Sequence, residues 1–211
     1  LLPLINNHNA ATLKAREKIS KWSQHHDNIG WIDHFQLENF LEVYQLDNFD
    51  TNDEKDWATL LRRVDVIPAS LALAQAANES GWGTSRFARE GNNYYGQWCF
   101  KRGCGMVPND RGTGDIHEVA VFNSPSDSVA SYLRNINSHK AYKSLRKIRM
   151  SLRAAAKPVT GNELAKGLDK YSQRGQDYIK EIRSIIRHNN LQKYDYNYNN
   201  DSREYSPLFS H

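Results

Sequence analysis

The sequence contains no run of about 18 apolar residues, so no segment is long enough to cross a bilayer as a helix. Its two cysteines are too few for a disulfide-dense scaffold or for a four-cysteine zinc site. A P-loop, a dinucleotide-binding glycine pattern and a His-Glu-x-x-His zinc motif are also absent from the sequence. We therefore expect no metal ion, no nucleotide and no other cofactor.

Leu, Ile, Val and Phe, which form most protein cores, are scarce for a folded protein. Leu, Ile, Val and Phe together account for 45 of the 211 residues, and the mean hydropathy is −0.77. This fraction is low but lies above the range in which packed cores fail, and 5 Trp and 11 Tyr add apolar area. A chain of this length and composition therefore predicts one domain with a modest core.

The formal net charge of +4 is unevenly distributed along the chain. Residues 1–66 carry −4, residues 67–139 are neutral, residues 140–193 carry +10 and residues 194–211 carry −2. A basic segment with interleaved tyrosines is one pattern that binds nucleic acid, but a solvated basic face is its commoner meaning. We expect the second and no nucleic-acid partner.

Helical spacing of apolar residues and capping boxes predict helices over most of the chain. Pro68 precedes an Ala-rich segment without charge up to Glu79, which predicts a helix buried on all sides. Residues 91–118 contain half of the glycines and predict a long irregular segment, followed by a short strand at Val119–Phe122. The predicted fold is mostly α (α+β). The other predicted helices cover about residues 11–26, 36–45, 51–63, 84–89, 126–138, 139–155 and 176–190, with a further start at Thr160.

Glu79 directly follows the eleven uncharged residues 68–78, and Gly81 and Gly83 follow it as helix-ending residues. A carboxylate at a helix C-terminus meets the negative end of the dipole, and apolar neighbours such as Trp82 would desolvate it. Both effects raise its pKa, which suits a general acid. The alternative is an ordinary solvated glutamate at a helix end.

The segment from Glu79 to Gly83 reads Glu-Ser-Gly-Trp-Gly, and residues 92–96 read Asn-Asn-Tyr-Tyr-Gly. Together with the Ala-rich helix before them, these motifs resemble the signature of the bacterial glucosaminidase family, glycoside hydrolase family 73. Cys99, Cys104, the His117–Glu118 pair and YSQRGQDYIKEIRSII resemble its Bax-type branch more closely. The resemblance covers about residues 60–191.

The resemblance implies a lysozyme-like single domain with a small β-like lobe over an active-site cleft. We expect residues 1–60 to form a helical extension packed on a catalytic domain at 61–193, with a tail at 194–211. It also implies that Glu79 is the general acid and that a second carboxylate lies in the lobe. We prefer Glu118 as this base; Asp110 and Asp115 are the alternatives.

The family also suggests residues that bind sugar through ring faces or amide groups. For each aromatic ring the alternative is core packing, and Trp82 is the one most expected in the core. For the asparagines the alternative is a plain turn. The predicted substrate-binding residues are Trp82, Asn93, Tyr94, Tyr95, Gln97, Trp98 and Tyr171.

The resemblance further implies a cell-wall substrate, which favours a disulfide between Cys99 and Cys104 over a free buried pair. We expect a periplasmic or otherwise extracytoplasmic monomer that acts on peptidoglycan glycan strands. The predicted activity is that of an endo-β-N-acetylglucosaminidase, which cleaves the β-1,4 bond after N-acetylglucosamine. A lytic transglycosylase that uses Glu79 alone, or a non-catalytic cell-wall-binding module, are the alternatives.

Overall fold

The computed structural model describes residues 1–108, 112 and 116–195. This part of the chain is mostly helical, with a three-stranded antiparallel sheet, so the predicted α+β class is confirmed and agrees with a lysozyme-like fold. The α-helices are α1 (Leu2–Gln24), α2 (Trp31–Val43), α3 (Glu54–Arg63), α4 (Ala69–Ser80), α5 (Arg86–Gly91), α6 (Pro125–Ser138), α7 (Lys143–Ala154), α8 (Gly161–Leu164) and α9 (Gln176–His188). Short 3-10 helices lie at His26–Asn28, Lys140–Tyr142, Ala165–Gly167 and Leu191–Tyr194.

Helix α4 lies in the main core, as its composition predicts. Its small residues are almost all buried; α1, α8, α9 and the 3-10 helix at Leu191–Tyr194 pack against it, and α6 contributes side chains to the same core. Small side chains allow these helices to approach closely: a Cβ at Gly161 of α8 would lie 2.1 Å from Ser70 Oγ. The core formed around α4 includes Ile5, Ile67, Leu71, Tyr95, Val129, Tyr132, Leu133, Ile136, Leu145, Leu164, Leu168, Tyr178, Ile179, Ile182 and Ile186.

A second, smaller core lies between the N-terminal helices. Helix α1 begins at Leu2, earlier than predicted, and reaches both cores, because Ile5 packs in the main core and Ile19 in the smaller one. The first helix therefore ties the N-terminal segment to the rest of the fold. The smaller core consists of Ile19, Trp22, Leu37, Tyr44, Trp57, Leu60 and Val64.

A buried ionic network joins α1, α7 and the segment after α3. Asp65 is 3% exposed and accepts bonds from Arg153 at 2.6 and 2.7 Å, with Arg149 Nε at 3.4 Å and Arg16 Nη1 at 3.9 Å. Arg149 is itself buried, as is Arg146 of the same helix. Arg146 and Arg149 therefore do not belong to the solvated basic face that the sequence predicts for this segment.

The predicted lobe is a small sheet in the strand order β1 (Trp98–Cys99), β3 (Glu118–Ala120), β2 (Gly105–Met106). Both pairings are antiparallel, with Cys99 opposite Glu118 and Gly105 opposite Ala120. The predicted disulfide between Cys99 and Cys104 is confirmed. A side chain at Gly105 would collide with the backbone of β3, since a Cβ there would lie 2.0 Å from the carbonyl oxygen of Val119.

The first residues of the predicted tail contact the N-terminus of α4. The Asp195 carboxylate accepts hydrogen bonds from Ser70 N at 2.8 Å, Ser70 Oγ at 2.7 Å and Gly161 N at 3.0 Å. Asp195 therefore caps the helix that ends at the candidate site. Among the residues that the structure describes, no helix is long and apolar enough to span a membrane.

Candidate active site

Glu79 lies in the last turn of α4, and the helix ends directly after it. The φ angles of Gly81, Trp82 and Gly83 are +55°, +59° and +81°, so the chain turns through three consecutive residues with positive φ. Glu79 is half-buried at this turn, while Ser80 beside it is fully buried. The carboxyl group is therefore held at the surface end of a rigid buried helix.

The two carboxyl oxygens of Glu79 have different surroundings. Oε1 accepts a hydrogen bond from the hydroxyl of Tyr178 at 2.8 Å and one from Asn78 Nδ2 at 3.3 Å. Oε2 lies beside Gly96, where a Cβ would be only 3.5 Å away. Gly96 has φ +62°, so glycine both permits this backbone conformation and leaves room next to the carboxyl group.

Burial raises the pKa of Glu79 above its ordinary value, while the hydrogen bonds from Tyr178 and Asn78 act against this shift. Glu181 also raises the pKa of Glu79, and Arg174 lowers it. These two residues form an ion pair at 2.7 Å and act on Glu79 in opposite directions. Burial is thus the main reason for the raised pKa, as the sequence predicts.

Two tryptophans in the segments that contain Glu79 and Gly96 are exposed. Trp82 is 65% exposed, so the alternative that it packs in the core is wrong, and its role in substrate binding stays a prediction; the left-handed backbone at the end of α4 places it outside. Trp98 on β1 is 58% exposed, and its ring stacks on His117 at 4.2 Å. Phe100, which the sequence analysis missed, is 68% exposed in the disulfide-closed loop.

The Asn-Asn-Tyr-Tyr motif is mainly structural. Tyr95 is 2% exposed and stacks on Tyr132 at 3.8 Å, so its ring face is not available to a sugar and the prediction for it is corrected. Asn93 is 1% exposed; its Nδ2 donates to Gln97 O and Ala120 O, and its Oδ1 accepts from two backbone N–H groups. Asn93 therefore braces the turn instead of facing the cleft. Tyr94 is half-buried.

Gln97 and Tyr171 are half-buried and both contact the frame of the site. Gln97 Nε2 donates to Ser131 Oγ at 3.0 Å, which ties the start of the lobe to α6. The Tyr171 hydroxyl donates to the carbonyl oxygen of Tyr95 at 3.2 Å, and its ring stacks on Tyr178 at 5.2 Å. Both residues therefore support the segment that carries Gly96.

Glu118 is held inside the lobe. It is 5% exposed, and its carboxylate accepts hydrogen bonds from Gly103 N at 3.0 Å and Gly105 N at 2.8 Å. A carboxylate oxygen of Glu118 and both disulfide sulfurs lie within 4.8 Å of one another, but sulfurs joined in a disulfide are not thiolate ligands for a metal. The alternative carboxylates, Asp110 and Asp115, lie outside the described residues.

Residues 54–191 match the family described as Glucosaminidase, mannosyl-glycoprotein endo-beta-N-acetylglucosaminidase. The chain belongs to the glucosaminidase family. It is also 35% identical over 190 residues to Protein bax of Escherichia coli strain K12, an alignment that covers 90% of this chain and 67% of that protein. The predicted Bax-type membership is therefore confirmed. No solved structure matches the chain.

Membership in the glucosaminidase family supports a peptidoglycan-acting glycoside hydrolase as the general class of activity. The matched region begins at α3, so it contains α4, the lobe and α9 but leaves out α1 and α2. Within residues 1–108 and 116–195, the side chains that hydrogen-bond to Glu79, those of Asn78 and Tyr178, therefore belong to the family domain.

Sequence reasoning missed two residues behind Glu79. Gln75 lies four residues earlier on the same face of α4, and its Nε2 donates to the Tyr178 hydroxyl at 3.0 Å. The i, i+4 spacing of Gln75 and Glu79 was a signal that could have indicated the first of them. No local pattern relates Tyr178 to α4, because 99 residues separate it from Glu79.

Proposed function

We propose that this chain is an endo-β-N-acetylglucosaminidase that cleaves the β-1,4 bond after N-acetylglucosamine in peptidoglycan. The observation that carries the proposal is Glu79, a half-buried carboxyl group with a raised pKa in a glucosaminidase-family domain. A glutamic acid that stays protonated nearer to neutral pH can protonate the oxygen of a leaving sugar.

In this mechanism Glu79 transfers its proton to the glycosidic oxygen as the bond between that oxygen and the anomeric carbon breaks. Water then supplies a hydroxyl group to the anomeric carbon and a proton to restore Glu79. The exposed rings of Trp82 and Trp98, the second with one face stacked on His117, support binding of sugars, since sugar C–H faces pack on aromatic rings. Tyr94 and Gln97 remain proposed as further substrate contacts, and Tyr171 as a residue at the edge of the cleft.

Glu118 remains our proposed second carboxylate, with Asp110 and Asp115 as alternatives. Its two backbone hydrogen bonds also give it a structural task, because they hold the loop on either side of Cys104. This placement favours a second candidate function, a lytic transglycosylase, in which Glu79 alone acts as acid and then base.

The disulfide supports an oxidising, extracytoplasmic location such as the periplasm, where peptidoglycan is accessible. We propose that the protein acts there as a monomer. The exposed lysines of the basic segment could attract carboxylates of wall peptides.

The test is mass spectrometry of purified peptidoglycan after digestion with the protein. Fragments with N-acetylglucosamine at the new reducing end support the proposed activity, whereas anhydro-muramic ends would establish the transglycosylase. Absence of any cleavage, with binding to the same glycan retained, would favour a non-catalytic wall-binding module.

The second carboxylate is tested by comparing Glu118→Gln, Asp110→Asn and Asp115→Asn. Loss of a required base lowers the rate by about 10²-fold or more, while thermal unfolding checks that the lobe is intact. Wild-type rates in Glu118→Gln would move the assignment to one of the other two, and wild-type rates in all three variants would support a single-acid mechanism.

A further inference from the structure

A chain of three hydrogen bonds runs from the core to Glu79. The Tyr132 hydroxyl donates to Gln75 Oε1 at 2.6 Å, Gln75 Nε2 donates to the Tyr178 hydroxyl at 3.0 Å, and the Tyr178 hydroxyl donates to Glu79 Oε1 at 2.8 Å. Tyr132, Gln75 and Tyr178 are each 2% exposed or less. Because bulk water does not reach them, each polar group depends on its partner in the chain.

The direction of these bonds is fixed by counting protons. Tyr132 has one hydroxyl proton, and donating it to Gln75 Oε1 orients the amide so that its NH₂ group faces Tyr178. The Tyr178 oxygen then receives an amide proton, and its own single proton is left for Glu79 Oε1. Only this polarity satisfies all the groups when Glu79 is ionised.

We propose that Tyr132, Gln75 and Tyr178 are positioning residues that reserve Oε1 of Glu79 as a hydrogen-bond acceptor. The transferable proton is thereby placed on Oε2, the oxygen beside Gly96. This inference rests on the proposed function only in taking Glu79 as the acid. It adds which oxygen donates and which residues decide it.

The chain also supports the transfer itself. When the proton leaves Oε2, negative charge develops over the carboxyl group, and the bond from Tyr178 strengthens because its acceptor becomes ionised. A bond that is stronger in the transition state than in the ground state lowers the barrier. Its loss should therefore reduce kcat more than it changes KM.

Other groups around Glu79 are not members of the chain. Asn78 donates to Oε1 from α4, Arg174 and Glu181 form an ion pair on and before α9, and Tyr171 and Tyr142 lie in the adjacent aromatic cluster. None of these five residues contacts Gln75 through a described hydrogen bond. Tyr142 interacts instead with Asn135, so it offers a matched tyrosine that lies outside the chain.

The test compares Tyr178→Phe and Tyr132→Phe with the control Tyr142→Phe, each of which removes one buried hydroxyl group. The carboxyl ¹³C signal of Glu79 is titrated by NMR in each protein, and kcat and KM are measured on peptidoglycan as a function of pH. Circular dichroism checks that each variant is folded.

Tyr178→Phe should raise the pKa of Glu79 by about one pH unit and move the alkaline limb of the rate profile equally, because a bond to the charged form is lost. Its kcat should fall about tenfold with KM nearly unchanged. Tyr132→Phe should shift both readouts in the same direction by less, and Tyr142→Phe should leave the pKa of Glu79 in place.

An unshifted Glu79 titration in folded Tyr178→Phe would overturn the proposal, as would an equal shift in Tyr142→Phe. The NMR titration does not depend on activity. If the wild type cleaves no glycan but the titration shifts as expected, the hydrogen-bond chain stands and the proposed function fails. If the wild type cleaves glycan but the Glu79 titration does not shift in Tyr178→Phe, the proposed function stands and the proposal for the hydrogen-bond chain fails.

Discussion

Two carboxyl groups inside the protein, those of Asp65 and Glu79, have opposite electrostatic surroundings. Burial alone would raise the pKa of Asp65, but Arg16, Arg149 and Arg153 together outweigh it and hold the pKa well below its usual range. Among the described residues, no comparable cluster of arginines surrounds Glu79; burial is the largest influence on this carboxyl group, and its pKa is raised. Asp65 therefore stays ionised, while Glu79 is kept nearer to protonation.

The difference shows that the neighbours of a buried carboxyl group decide its task. Asp65 is bonded by cations from helices distant in sequence, so its charge serves to hold α1 and α7 together. Glu79 accepts hydrogen bonds from two neutral donors, Tyr178 and Asn78, which orient the carboxyl group without holding it in the ionised form. The first arrangement stabilises the fold, and the second suits a group that must release a proton.

The largest expected effect is on activity. Glu79→Gln keeps the shape and the acceptor oxygen but removes the transferable proton, so cleavage of peptidoglycan should fall by about 10²- to 10⁴-fold. The midpoint temperature of thermal unfolding should be equal to that of the wild type or slightly higher. Glu90→Gln, on the exposed side of α5, is the charge-matched control and should keep full activity. Substantial residual cleavage by Glu79→Gln would remove its proposed role.

The corresponding substitution at Asp65 should lower the stability of the fold. Asp65→Asn leaves three arginines around a neutral group, and the free energy of unfolding should fall by about 3–5 kcal/mol. The exposed pair Asp177–Lys180 provides the control, because Asp177→Asn should change stability by less than about 1 kcal/mol. Urea unfolding measures both. Equal stabilities of the two variants would contradict the distinction between structural and functional carboxyl groups.

The two groups should also give opposite pH dependences of stability. The contribution of Asp65 is fully present above the ordinary pKa of 3.8 and is lost as pH falls toward the lower pKa of the folded state. The contribution of Glu79 is present below the ordinary pKa of 4.5 and is lost as pH rises through its raised folded pKa. Urea unfolding of the wild type, Asp65→Asn and Glu79→Gln from about pH 3 to about pH 8 measures both. The expectation is contradicted if the stability difference between the wild type and Asp65→Asn changes with pH in the same way as that between the wild type and Glu79→Gln.

A smaller effect is expected in the lobe, where Glu118 represents a third kind of environment. Backbone N–H groups on either side of Cys104 hold its carboxylate, and the disulfide closes the same loop. Replacing Cys99 and Cys104 by Ser together should lower the free energy of unfolding by about 2 kcal/mol. Reducing agent should reproduce this loss in the wild type and leave the double variant unchanged. A double variant as stable as the wild type would show that Glu118 holds the loop without the disulfide.

The sequence predicted the elements of the site better than the direction of its side chains. The Ala-rich helix and its end near Glu79 were predicted from local patterns, and the disulfide was predicted from the family resemblance. Tyr95, which was predicted to bind sugar, lies in the core, whereas Trp82, for which core packing was the alternative, is exposed. The local sequence does not distinguish Trp82 from Tyr95, because both lie in glycine-rich turns. The left-handed φ of Trp82 and the stacking of Tyr95 on the distant Tyr132 give the two side chains different positions.

The sequence by itself determined the helical fold class, the family and the identity of the candidate acid, because these depend on spacing, composition and short motifs along one segment. The tertiary structure alone decided which carboxyl groups meet arginines and which meet tyrosines. Asp65 and Arg153 are 88 residues apart, and Glu79 and Tyr178 are 99 apart. Electrostatic environment acts over a few ångströms in space, so residues far apart in the chain set it, and only folding brings them together.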